Sequence, residues 1–197
     1  MSGTLLLVIT SIVWGVVHSF LASHGAKEQF ARWFGQAVAD RYYRFGYNIF
    51  SVISFLPLLV LLIILPDQFL YSIKAPWVYL TLLGQALAIV ALVVGVLQTG
   101  PWEFIGLSQL LKPDQPKADK LTISGLYRYV RHPLYTAGLA FIWLTPEMTV
   151  NRLALWIIMS LYLVIGAYFE ERKLLRDFGQ QYADYKTRTP MLIPRLR

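Results

Sequence analysis

The residues of this sequence that could do chemistry gather in two short stretches. The first is Gly125-Leu126-Tyr127-Arg128-Tyr129-Val130-Arg131-His132-Pro133-Leu134-Tyr135, where tyrosines, a histidine and two arginines meet at the start of an apolar run. At helical spacing Arg128, Arg131 or His132, and Tyr135 share a face. Pro133 pushes His132 away from the helical region, so a turn places its ring, which suits contact with a ligand. A plain membrane anchor uses the same residue types, because arginines and tyrosines collect at the headgroup level. The second stretch is Glu170–Glu171, at the end of the last apolar run. Acids there are opposed by the negative end of the helix dipole. Either Arg172, Lys173 and Arg176 neutralise them in ion pairs of small energy, or one carboxylate points inward and holds a cation or hydroxyls.

Other polar residues within apolar runs have plainer uses. His18 could bond a neighbouring helix, ligate haem or touch a substrate, and ionisable groups inside a membrane segment are candidates for function. Gln85 and Gln98 are expected to make interhelical hydrogen bonds, and Gly84, Gly95 and Gly166 to let helices approach closely. His24, in a loop, is expected to be solvated. With three histidines and no cysteine, no pair has ligand spacing on one helix, and no metal site is expected. Phosphate loops, a nucleophile elbow and a dinucleotide fingerprint are absent from the sequence.

The elements that must position these residues are membrane helices. Of 197 residues 56% are hydrophobic and 15% charged, against roughly half and a quarter in soluble domains. A mean hydropathy of +0.51 excludes a water-soluble globule, a disordered tail and a disulfide scaffold. Apolar runs cover Leu5 to about Ala22, Phe45 to Leu65, Pro76 to about Gln98, Leu134 to Leu144, and Asn151 to Phe169. The first follows Met1 without a basic region or a small-residue cleavage site, which predicts a retained helix. Pro66–Asp67 and Gly100–Pro101 end the second and third. The fourth, between Pro133 and Pro146, is too short to span at 1.5 Å per residue. It predicts a short helix that turns back, so that 134–169 forms a helical hairpin. Lys112–Lys120, with Pro113 and Pro116, reads as a surface loop, and no internal repeat divides the chain.

Charge sets the orientation. The 23–44 loop, the 99–133 loop and the C-terminal tail carry every lysine and arginine except Lys74 and Arg152. The positive-inside rule then puts these segments in the cytoplasm and the N-terminus outside, which requires an odd number of spans. The expected fold is all-α: a single domain over 1–197, an integral membrane bundle of about five transmembrane helices, with the polar stretches on its cytoplasmic side. Basic residues spread along the inner face report topology and contact with membrane lipid. They do not point to nucleic acid.

Taken together, 125–135, Glu170–Glu171, Phe178-Gly179-Gln180-Gln181-Tyr182-Ala183-Asp184-Tyr185 and Pro190-Met191-Leu192-Ile193-Pro194 resemble one family over about the last 75 residues. It is the membrane methyltransferase superfamily of isoprenylcysteine carboxyl methyltransferase and the phospholipid N-methyltransferases. His18-Ser19-Phe20-Leu21-Ala22-Ser23, Arg41-Tyr42-Tyr43-Arg44, Phe104–Leu107 and Thr145–Val150 are similar to the methanethiol S-methyltransferase and NnrU-like branch. The resemblance implies S-adenosylmethionine held between the last two helices and the cytoplasmic segments, without a Rossmann domain. Its cofactor positions fall on Lys120, Leu121, Tyr127, His132, Pro133, Leu134, Tyr135, Glu170 and Glu171. Two departures stand out. Gly166 replaces the basic substrate position of the isoprenylcysteine branch, which counts against a prenylcysteine carboxylate, and Ala137–Gly138 shifts a motif glycine by one step.

Methyl transfer from a sulfonium needs positioning and desolvation more than an acid–base pair. Glu170 would hold the amino or ribose end of the cofactor, Tyr127 and Tyr135 would offer aromatic faces to a cation, and His132 would orient it. Arg131 or Arg128 would favour deprotonation of a thiol, and His18 is the candidate substrate contact. The expected activity is S-methylation of a small or lipophilic thiol by a multi-pass inner-membrane protein with no obligate protein partner. Its rivals are an amine, carboxylate or phenol acceptor, an NnrU-like haem protein ligated by His18 and His132, and a scaffold without activity.

Overall fold

The computed structural model describes residues 2–111 and 121–194. It is an all-α membrane protein with one small ribbon. Four helices are long and apolar enough to cross a membrane: α1 (Gly3–Ala22), α3 (Gln36–Ile64), α4 (Trp77–Gln98) and α8 (Val150–Arg188). Shorter helices are α2 (His24–Phe34), α5 (Pro101–Ile105), α6 (Leu107–Leu111) and α7 (Pro133–Trp143), and a 3-10 turn covers Gly125–Arg128. Strands β1 (Phe69–Ser72) and β2 (Glu147–Thr149) pair antiparallel. The long helices leave apolar side chains uncovered by protein, Ile63 at 81% and Val52 at 66% exposure. Apolar surface on that scale faces lipid.

The helix ends follow local rules. Ser2 caps α1 by accepting from the Leu5 amide at 3.2 Å. Ser23 closes α1 and opens α2, its hydroxyl accepting from the Ala26 amide. The expected second run, from Phe45, lengthens backwards to Gln36, because residues 36–44 hold no breaker after Gly35 at φ 90°.

The chain divides into two compact units. The first comprises Met1–Gln68, Gly100–Ala118 and Val150–Ile158. Asn151, fully buried, ties it together. Its side chain accepts from Thr4 Oγ1 at 2.6 Å and donates to Pro66 O at 3.1 Å, and its amide donates to Asp67 at 2.9 Å. Trp14 donates to Ser54 Oγ at 3.0 Å, and the His18 ring stacks on Trp14.

The second unit comprises Phe69–Thr99, Asp119–Thr149 and Met159–Arg197. Here α7 runs antiparallel to α4, tied at both ends and along its length. The Leu126 amide donates to Gln98 Oε1 at one end, Gln85 Nε2 donates to Phe141 O partway, and the Ile73 amide donates to Pro146 O beside the ribbon. Eleven helical residues, with the 3-10 turn before them and strand β2 after them, thus cover the length of a 22-residue helix. The chain turns at Leu144–Pro146 as expected, and strand β2 follows, paired with β1. Gly84 and Gly95 allow the close approach: a Cβ at either would lie within 3 Å of Leu144 or Leu134. Gly166 differs from expectation, since a Cβ there would meet nothing within 4 Å.

Candidate functional site

The His132 turn is built by proline chemistry. Pro133 occupies the first turn of α7, where its missing N–H leaves no bond unmade, and His132 caps the helix at φ −123°, ψ 66°. The preceding Gly125, at φ +60°, leaves room for the Gln98 amide that holds Leu126. The turn therefore hangs from α4 at one end and starts α7 at the other.

Helix α8 brings both acids to His132. The imidazole is buried, with Nδ1 3.6 Å from Glu170 Oε2 and Nε2 3.4 Å from Glu171 Oε1. The second contact is an ion-pair distance without hydrogen-bond alignment. The Tyr135 ring stacks on His132, 5.3 Å between centroids and 11° between planes, and its hydroxyl donates to Glu170 Oε2 at 2.8 Å. Both ring nitrogens of His132 thus face carboxylates.

The two acids have different surroundings. The Glu171 side chain is 5% exposed and Glu170 45%. Glu171 Oε1 accepts from Arg131 Nε at 2.6 Å and also meets its Nη2, while Oε2 pairs with Lys186 Nζ at 2.8 Å. Glu170 keeps one face open beside Tyr135. Arg131 is committed in turn: Nη1 donates to the carbonyls of Lys186 and Thr189. All three guanidinium nitrogens are engaged within the protein.

Tyr127, Pro133, Leu134, Leu121 and Arg128 belong to the same unit as this cluster. Tyr127 is half-buried; desolvation, with the charge of Glu170 adding to it, pushes its hydroxyl up to about 12. It is a neutral phenol at physiological pH, suited to donating a hydrogen bond or offering a ring face. Pro133 is buried, and Leu134 turns toward Gly95 on α4. Leu121 lies half-buried in the irregular segment before the turn, and Lys120 lies outside the described residues. Arg128 is exposed and lines a cavity of about 860 Å³ with Tyr129, Asp184, Tyr185 and Arg188. His18 belongs to the first unit, where its Nε2 is 2.7 Å from Tyr47 Oη.

Residues of the tail enter the cluster without having been assigned a role from sequence. Tyr182 is buried, and Tyr185 donates to Tyr127 O. Thr136 Oγ1 donates to Leu192 O at 2.7 Å. The signal was aromatic spacing: tyrosines at i and i+3 in an otherwise polar helix mark a buried face. After the break at Gly179 (φ 51°, ψ −127°) that face turns back onto the His132 turn.

A family model described as "Protein of unknown function (DUF1295)" matches residues 2–189. A methanethiol S-methyltransferase of Pseudomonas deceptionensis is 37% identical over 99 residues, 49% of this chain and 38% of that protein. One from Pseudomonas sp. (strain GM41(2012)) is 29% identical over 189 residues, 89% of this chain and 70% of its own length. Protein-S-isoprenylcysteine O-methyltransferase B of Arabidopsis thaliana is 29% identical over 90 residues, 44% of this chain and 46% of that protein. The matches thus span from 38% to 70% of the length of these relatives. No solved structure matches the chain significantly.

Proposed function

The chain belongs to the DUF1295 family, and from that premise we propose that it is a membrane methyltransferase that uses S-adenosylmethionine to methylate a small or lipophilic thiol. The observation that carries this reading is the half-open Glu170 carboxylate, held by Tyr135 and backed by a buried histidine. Such a group accepts hydrogen bonds from an ammonium or from ribose hydroxyls, and the tyrosine faces beside it favour a cation. The similarity to methanethiol S-methyltransferases supports the acceptor class. Gly166, in place of a cation one turn before the acids, favours an uncharged acceptor over a carboxylate.

When bound, the cofactor would supply an electrophilic methyl group on its sulfonium to a thiolate acceptor, with the neutral thioether S-adenosylhomocysteine as the leaving group. The protein's own share is binding and orientation. Glu170 and Tyr135 hold the polar end, Tyr127 offers a ring and a neutral hydroxyl, and His132 fixes the Glu170 carboxylate. Arg128, exposed beside the turn and lining the cavity there, is the candidate that favours the thiolate by its charge. His18, bonded to Tyr47, remains the candidate acceptor contact. The charge distribution supports a cytoplasmic C-terminus, the side on which a soluble cofactor is supplied.

Calorimetric titration of the detergent-purified protein with S-adenosylhomocysteine tests the cofactor. Saturable binding that Glu170→Ala abolishes supports the reading, and no binding by folded wild type overturns it. A panel of methanethiol, longer thiols, an amine and a prenylcysteine then separates the acceptors.

A further inference from the structure

The backbone amides of Arg131 and His132 lie just before α7, where no intrahelical carbonyl can reach them. The tail supplies the missing acceptors: Pro190 O takes the Arg131 amide at 2.9 Å and Met191 O the His132 amide at 3.1 Å. Leu192 O accepts from Thr136 one turn further on. At the other end of the turn, Tyr185 donates to Tyr127 O. Between these points Arg131 fastens the tail through the carbonyls of Lys186 and Thr189, and Glu171 pairs with both Arg131 and Lys186.

We infer that the segment Tyr185–Leu192 is a clamp that forms the cofactor site, and that Arg131 and Tyr185 are positioning residues which act through His132 and Tyr127. This inference rests on the methyltransferase reading. The clamp fixes both ends of one loop, so the ring of His132 and the hydroxyl of Tyr127 hold their places before any ligand arrives. An arginine that activated a thiol would need a donor free to meet it. Arg131 has spent its fork on one carboxylate and two carbonyls, a planar arrangement that the point charge of lysine cannot reproduce.

The test uses the full chain in detergent, with Tyr185→Phe beside Arg131→Lys in case the latter folds poorly. Hydrogen exchange at the 131 and 132 amides reads the clamp without any ligand, and S-adenosylhomocysteine titration reads its consequence. Both variants are expected to speed exchange at these amides and to weaken binding about tenfold. The Michaelis constant for S-adenosylmethionine rises in step, kcat at saturating cofactor changes far less, and the pH–rate profile does not move. Unchanged exchange and affinity in both variants overturns the clamp, as does an alkaline shift of the profile in Arg131→Lys, which would make Arg131 an activator. If the variants bind as wild type does, the clamp alone falls. If folded wild type does not bind, the methyltransferase reading falls and takes the clamp with it.

Discussion

Adjacent in the chain, Glu170 and Glu171 are separated by what surrounds them. Glu171 sits buried between Arg131 and Lys186, whereas Glu170 stands half-open with Tyr135. Their substitutions should therefore fail differently. Glu171→Gln leaves a buried guanidinium without its counter-charge, and the expected loss of stability is about 3–5 kcal/mol. Thermal unfolding in detergent measures it. Glu170→Gln keeps the fold, and its melting temperature should stay within about a degree of wild type. It should weaken S-adenosylhomocysteine binding by about tenfold, the loss of one charge-assisted bond. Tyr127 gives a pH expectation. With its hydroxyl pushed up to about 12, it stays neutral across the physiological range of a rate profile. Tyr127→Phe should then lower activity while leaving both limbs of the profile where they are, and a shifted alkaline limb would contradict this.

At the scale of elements, the pairing of α4 with α7 decides where the cluster sits. Gln98 and Gln85 were recognisable from sequence as interhelical bonding groups, because an amide in an apolar run must find a partner. The structure gives them backbone partners, Leu126 N and Phe141 O. Gly125 depends on this arrangement twice over: its φ of +60° suits glycine, and a Cβ would overlap the Gln98 amide. Gly125→Ala is expected to cost about 1–2 kcal/mol from the backbone alone, and more if the Gln98 bond is lost. A thermal shift larger than that of Gly166→Ala, whose Cβ meets nothing, checks the comparison. The strand pairing of β1 and β2 was not legible. Each is three or four residues long and leaves no periodicity to read.

For the whole molecule, lipid replaces water as the solvent of most side chains, and this governs both its fold and its test. The orientation derived from basic residues puts Gln181 in the cytoplasm and Gln68 outside. The chain has no cysteine, so Gln68→Cys and Gln181→Cys are each the single thiol of their protein. An impermeant maleimide added to intact cells should label the first and spare the second. The reverse pattern would invert the topology and deprive the tail of cytoplasmic cofactor.

Composition and run length by themselves determined the class of this protein. Apolar residues fix which segments leave water, and no later packing can reverse that. Local covalent chemistry favoured the break at His132, because Pro133 disfavours the helical conformation in the residue before it. The division of labour in the cluster needed tertiary structure. Successive residues on a helix point about 100° apart, so one of two neighbouring acids faces inward and the other does not. Which one depends on how α8 is rotated. That rotation is set by Arg131, Lys186 and the returning tail, which lie 15 to 40 residues away along the chain and become neighbours only once it is folded.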